Sequence, residues 1–154
     1  MQTFLPYHSF SESAKVLDDK RLGKQRSECV IIMKTLLGAY EKEGRKGWPH
    51  HPATKMWKGY EGELWWYTKQ VCWQWKLRGY KDTVRDWLQA IADEYPEQIK
   101  GYRPPEVGEP PWLGNEEFHR SHRSNLLRKM PGHYRQYWPK LRDDLPYVWP
   151  KANA

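Results

Sequence analysis

Arg21, Lys24, Gln25 and Glu28 recur at i, i+3, i+4 and i+7 within the run Leu17-Asp18-Asp19-Lys20-Arg21-Leu22-Gly23-Lys24-Gln25-Arg26-Ser27-Glu28. On an α-helix this spacing stacks them along one face. Leu22, Cys29, Met33, Leu36 and Leu37 fall on the opposite face, where they can bury. The pattern sets one carboxylate among cations and a carboxamide, with an apolar side to hold it in place. An enzyme acting on a polyanion needs this combination: cations to hold phosphates, and one acid to meet charge developing at the reacting carbon. A solvated helix face carrying a Lys24–Glu28 ion pair worth about 0.2–0.5 kcal/mol has the same appearance. The stripe alone fits that simpler reading.

Composition points to the partner independently. The 154 residues carry a net charge of +7, so an acidic partner is expected. Lys and Arg are scattered among 10 Trp and 10 Tyr rather than gathered in a tail. Interleaved cations and aromatics suit a nucleic acid, whose phosphates need charge and whose unstacked bases need a flat apolar face. An anionic membrane is the competing partner. However, no basic helix shows a broad apolar face, and no apolar run reaches about 18 residues. The first residues lack the apolar core of a signal peptide, so a cytoplasmic location is expected. Cys29 and Cys72 sit in helical patterns and read as reduced core thiols, two being too few for a disulfide framework or a zinc site.

The elements that must position the stripe are helical. Ser9 or Ser11 can cap a short helix over Glu12–Val16, and a second helix is predicted from about Lys20 to Tyr40, weakened at its end by Gly38 and Gly44. Glu41–His51, rich in Lys and Gly, reads as a loop. Pro52 suits the first turn of a third helix running through Trp57, Leu64, Trp65, Val71, Cys72 and Trp75 and stopping at Gly79. Asp82 or Thr83 caps a fourth, in which Val84, Trp87, Leu88, Ile91 and Tyr95 keep an amphipathic period. Prolines and glycines from Pro96 to Gly114 argue against regular structure there. Asn115 then caps a last helix to Met130, ended by Pro131. No segment alternates as a strand, none repeats, and there is no Gly-rich phosphate loop.

Other groupings are ambiguous. His119 and His122 lie at i, i+3 beside Glu116, which admits a metal site, but no third ligand has a clear spacing. A basic DNA-facing helix carrying Arg120 and Arg123 is the preferred reading. His50-His51 are either metal ligands or loop polar groups. Tyr134, Arg135, Tyr137 and Trp138 form an aromatic, basic tail that serves equally as a DNA surface or as a segment pinned to the core.

Leu17-Asp18-Asp19-Lys20-Arg21-Leu22, with Glu28 six residues after its last Leu, resembles the Leu-x-Asp-x-x-Leu run and catalytic Glu of the pyrimidine-dimer DNA glycosylases, the small phage-type endonuclease V family. Leu77-Arg78-Gly79-Tyr80 resembles the family's Lys-Arg-Gly-aromatic run. Pro131-Gly132-His133-Tyr134-Arg135-Gln136-Tyr137 is similar to its Pro-x-Trp-Tyr-Lys-Tyr-Tyr. Each match is short; their shared order along most of the chain carries the resemblance.

The resemblance implies a compact helical domain whose nucleophile is the α-amine of the N-terminal residue. That amine attacks C1′ of the damaged nucleotide to form a Schiff base, and the carboxylate, here Glu28, stabilises the cationic sugar and assists β-elimination. An α-amine, with a pKa of roughly 7.7–8.0, has a useful neutral fraction near neutrality, whereas a lysine near 10.4 does not. The chain departs from the family at residue 2, usually a small Thr exposed by removal of the initiator Met. Gln2 is too bulky for that processing, so the expected nucleophile is the amine of Met1, or of Gln2 or Thr3 after trimming. The family's His before the second Leu is Arg21 here, and its Arg before the catalytic Glu is Ser27, with Arg26 one position earlier.

The combined expectation is an all-α single domain over residues 1–154, with long irregular connections and an aromatic C-terminal tail. It would act as a monomer on double-stranded DNA, without a metal or other cofactor, excising a damaged or modified pyrimidine. Arg21, Lys24, Gln25, Arg26, Arg120, Arg123, Tyr134, Arg135 and Trp138 are its candidate DNA contacts. A non-catalytic DNA-binding module on the same scaffold is the alternative, and a metal-dependent nuclease using the histidines ranks below both. Met1 and Glu28 should share one cleft if they act on a single carbon.

Overall fold

The computed structural model describes residues 1–99 and 109–150, which fold into helices joined by turns and irregular segments, with no strand among them. Ser9 caps α1 (Phe10–Val16) by accepting from the Glu12 amide. Asp18 caps α2 (Asp19–Leu36) by accepting from the Arg21 amide, satisfying one of the donors a helix start leaves free. The long helix expected to reach Tyr40 ends earlier. Gly38 adopts φ +75°, a left-handed turn that breaks the ladder, and a separate turn of helix, α3 (Ala39–Lys42), runs into the stretch expected as loop.

The single helix expected from Pro52 to Gly79 is likewise two. Pro52 opens α4 (Pro52–Lys55), Gly59 turns at φ +86°, and α5 (Glu61–Leu77) begins after Tyr60. Asp82 accepts from the Val84 amide at 3.0 Å ahead of α6 (Arg85–Glu94), whose Leu88 and Ile91 are buried. A short α7 (Pro96–Ile99) occupies the start of the stretch expected to be irregular, since proline suits a first helical turn. The expectation for 100–108 lies outside the described residues. Asn115 caps α8 (Glu116–Lys129), and Pro131 both ends it and opens α9 (Pro131–Tyr134).

The core forms where α2 and α1 pack on α5. Leu22, Cys29, Ile32 and Met33 from α2 meet Leu64, Tyr67 and Val71 from α5, with Phe118, Leu126 and Leu127 of α8 completing the cluster. Both thiols are free and buried, and burial pushes Cys29 up to about 12, so neither is a ready nucleophile. Gly23 permits close packing of α2: a Cβ there would stand 2.8 Å from the Trp75 indole. That indole is itself held, stacked on Tyr80 at 4.2 Å and under the Arg26 guanidinium at 4.6 Å.

The N-terminal segment decides what the core is built around. Gln2 to Pro6 are buried yet belong to no helix or strand, so their backbone groups need partners from elsewhere. Side chains of three helices supply them. Gln25 of α2 accepts from the Phe4 amide and donates to the Gln2 carbonyl, both at 2.8 Å. Tyr67 of α5 donates to the Phe4 carbonyl. From α8, His122 Nδ1 accepts from the Leu5 amide at 2.9 Å, His119 Nδ1 donates to the Leu5 carbonyl at 2.8 Å, and Arg123 donates to the Pro6 carbonyl at 2.7 Å. Trp57 donates to the Thr3 hydroxyl at 3.0 Å. The chain start is thereby fixed in position.

This clamp makes the fold sensitive to acid. Burial lowers the His122 pKa to about 3, because a charged ring there would lose its hydration, and neighbouring His119 lowers it further. An unfolded histidine takes up that proton near pH 6.5, so below that pH the unfolded state binds more protons and stability falls. His119, also depressed by burial, adds in the same direction. The thermal midpoint followed by circular dichroism should decline steadily from pH 7 to pH 4.5. A flat profile would mean that His122 does not hold the segment as the neutral ring.

Candidate active site

The fixed chain start ends at Glu28. The Gln2 amide donates to Glu28 Oε2 at 3.3 Å, and Met1, Gln2 and Glu28 all line one cleft of about 320 Å³. Its rim is cationic, formed by Lys20, Arg21 and Lys24 of α2 with Lys129 from the end of α8; Phe4 and Tyr147 supply apolar wall. Two larger hollows, of about 450 and 500 Å³, share no residue with it. Size therefore does not single out the site. Its distinction is the meeting of a chain terminus, a carboxylate and several cations.

Glu28 is placed by α2 itself. Six residues beyond Leu22, whose side chain is fully buried, it sits at the margin of the core with its side chain 15 % exposed. Lys24 Nζ lies 3.9 Å from Glu28 Oε1 on a side chain that is 71 % exposed, so the pair is solvent-screened and leaves the carboxylate available. The start of α2 is anchored more firmly. Buried Asp18 accepts from the Tyr134 hydroxyl at 2.6 Å and from the Arg21 guanidinium at 3.2 Å. Burial alone would raise the Asp18 pKa, yet these hydrogen bonds hold its carboxyl below the ordinary carboxylate range. Tyr134 also accepts from the Asp18 amide at 3.0 Å, tying α9 to the helix that carries Glu28.

His51 belongs to the neighbourhood of the chain start, a placement its sequence position does not announce. Its Nδ1 accepts from the Ala53 amide at 3.0 Å to cap α4, which leaves Nε2 to carry the ring proton. Burial, and after it the positive chain terminus, lowers its pKa, while the Glu28 charge pulls the other way. Lys129 and Tyr147 join the cleft from parts of the chain that the spacing argument did not link to Glu28, and Lys20 joins it from one turn before Lys24 on α2.

The other sequence candidates divide by exposure. Lys24 and Arg120 are exposed, and Arg21 reaches the cleft while paired with Asp18. Gln25 is buried in the clamp on the N-terminal segment, as is most of Arg123, whose guanidinium is shared between the Pro6 carbonyl and Glu116. Arg26 pairs with Asp82 at 3.0 Å, on a side chain 15 % exposed. Tyr134 and Trp138 are buried and stacked on each other at 5.4 Å. Arg135 donates to the Leu141 carbonyl at 2.8 Å. Both histidines suspected of metal ligation are engaged by backbone: His119 Nε2 accepts from the Gly114 amide and its Nδ1 bonds Leu5, while His122 Nδ1 accepts from Leu5. Among the described residues no helix is long and apolar enough to cross a membrane.

A family model described as pyrimidine dimer DNA glycosylase matches residues 1–88, which include the N-terminal segment, α2 with Glu28, and α5. No curated protein and no solved structure matches the chain.

Proposed function

Because the chain belongs to the pyrimidine dimer DNA glycosylase family, we propose that it excises a damaged or modified pyrimidine from duplex DNA and then cleaves the strand at the abasic site. The observation that carries this reading is the cleft in which the chain start, fixed by side chains of three helices, meets Glu28. Ordering a residue's backbone costs about 1–2 kcal/mol, and a buried terminus without secondary structure gathers that cost with few bonds of its own. A nucleophile that must address one carbon gives the ordering a use.

In the proposed reaction the neutral α-amine of Met1 attacks C1′. The glycosidic C1′–N bond breaks, its electrons leave with the base, and the base takes up a proton. One proton passes from the attached amine to O4′ as the C1′–O4′ bond breaks, which opens the sugar ring and leaves a protonated Schiff base between Met1 and C1′. The Glu28 carboxylate beside this cation stabilises it electrostatically. It then assists removal of a C2′ proton, which expels the phosphate at C3′ and cuts the strand. If trimming exposes it, the Gln2 nitrogen is already the one in contact with Glu28. Lys20, Lys24 and Lys129 would hold phosphates around the cleft, with Arg21 at the position where the resembling family has His. Arg120 is a further exposed contact. Gln25, Arg26, Arg123, Tyr134, Arg135 and Trp138 act in this scheme as positioning residues. Extruding a base costs a few kcal/mol, which the phosphate contacts offset.

The test is borohydride trapping on duplexes carrying single defined lesions, a pyrimidine dimer and a preformed abasic site among them. Base release from one lesion is expected, with a covalent adduct that peptide mass mapping places on residue 1. An adduct on Lys20 or Lys24 would transfer the nucleophile to a side chain. Base release without an adduct would assign the attack to water. Neither outcome on any duplex would leave a DNA-binding module.

A further inference from the structure

The C-terminal segment from Leu141 to Pro150 has no regular secondary structure, yet it is laced along α8. Ser121, Ser124, Asn125 and Arg128 fall at i, i+3, i+4 and i+7 and together grip its backbone. Ser124 Oγ donates to the Arg142 carbonyl at 2.6 Å and accepts from the Leu145 amide at 3.1 Å. Asn125 donates to the Leu145 carbonyl at 3.0 Å, Arg128 to the Asp143 carbonyl at 2.7 Å, and Ser121 Oγ accepts from the Val148 amide at 3.1 Å. These bonds fix the register of a strap that would otherwise be free to slide.

The register delivers one aromatic, Tyr147, to the cleft and sets a second, Trp149, against it. Tyr147 forms part of the cleft wall beside Met1 and Glu28, its ring edge-on to the buried His122 at 5.6 Å. Trp149 lies 5.6 Å from Tyr147 and edge-on to His51 at 6.0 Å, yet it remains 36 % exposed, and Val148 between them is 39 % exposed. Burial of core would be a sufficient reason for Tyr147 but not for Trp149, whose indole stays partly exposed against the cleft-lining Tyr147. A flat apolar face next to phosphate-binding cations is what an unstacked base requires.

We infer that Trp149, set in place by the Tyr147 strap, is the stacking platform for the base exposed when the duplex opens at this cleft, and so a specificity-determining residue of the enzyme. The inference rests on the glycosylase reading of the cleft. It adds that discrimination of the base comes from the far end of the chain, outside the matched residues 1–88. The alternative is a strap that only covers the N-terminal segment.

The experiment compares Trp149→Ala and Trp149→Phe with the parent protein on three duplexes: undamaged, lesion-bearing and abasic. A stacked base is worth about 5- to 150-fold in equilibrium constant. Trp149→Ala should therefore lose that much preference for lesion-bearing over undamaged duplex, with excision falling in proportion. Affinity for undamaged duplex and cleavage of a preformed abasic site, which has no base to stack, should be unchanged. Trp149→Phe should recover most of the preference. Equal loss on all three duplexes, or no loss on any, would overturn the inference. A second measurement is independent of turnover: 2-aminopurine at an unpaired position should be quenched by the parent protein and by Trp149→Phe but not by Trp149→Ala. If the parent protein releases no base yet this quenching difference persists, the excision reading fails and the stacking platform stands. No difference in quenching would overturn the platform itself.

Discussion

Glu28→Gln should slow base excision by at least about 10²–10³-fold under single-turnover conditions, while binding to undamaged duplex stays the same or tightens slightly. The amide preserves volume, and its carbonyl oxygen can still accept from the Gln2 N–H that Glu28 now holds at 3.3 Å. Only the negative charge is removed. In the proposed mechanism that charge faces the cationic sugar, so its loss falls on the transition state rather than on the ground-state complex. Taking one negative charge from a rim containing Lys20, Arg21, Lys24 and Lys129 favours a polyanion if it does anything. Unchanged excision would reduce Glu28 to the partner of an exposed lysine. A loss of DNA affinity equal to the loss of rate would point to a misfolded α2, which the thermal midpoint would reveal.

Capping the chain start should have the second large effect. Acetylation of Met1, or one added residue ahead of it, should abolish the borohydride adduct and bring strand cleavage at abasic sites down to the uncatalysed background. Affinity for abasic-site duplex should survive, because the side chains proposed to hold phosphates lie on α2 and at the end of α8. An extended protein that still traps DNA would remove the α-amine from the mechanism, and mapping the adduct would identify its replacement. Comparing the two modifications is informative. Acetylation adds little bulk to the cleft, whereas an added residue also tests whether the 320 Å³ space tolerates a longer chain start.

The stripe on α2 was legible because both of its faces obey one period. Lys24 stays exposed and Arg21 and Glu28 keep part of their surface at the cleft, while Leu22, Cys29 and Met33 bury, as the spacing requires. The caps at Ser9 and Asn115, and Pro52 in the first turn of α4, were legible for a similar reason: a short polar side chain or a proline satisfies a local need of a helix start. Helix breaks were less legible. Gly38 read only as a weak point near a helix end and Gly59 as part of a continuing helix, and the positive φ at each shows that the chain turns there. Gln25 misleads for a different reason. Its position on the polar stripe suggests exposure, but its carboxamide pairs with the backbone of Gln2 and Phe4, which lets a polar side chain bury on that face.

The sequence by itself determined the helical class, the cationic surface and the carboxylate at residue 28, because periodicity, charge and cap chemistry are local properties of a chain. It also carried the family, since the matched residues hold the run around Glu28 in order. Which other groups meet that carboxylate was decided by tertiary structure alone. Met1 is 27 positions from Glu28, Lys129 about a hundred, and Tyr147 further still. No spacing rule joins them. They meet because an N-terminal segment without secondary structure takes its hydrogen bonds from α2, α5 and α8, and because one face of α8 grips the returning C-terminal strap. Long-range satisfaction of backbone polar groups draws both ends of the chain to one cleft, and that requirement can be read only once the helices are packed.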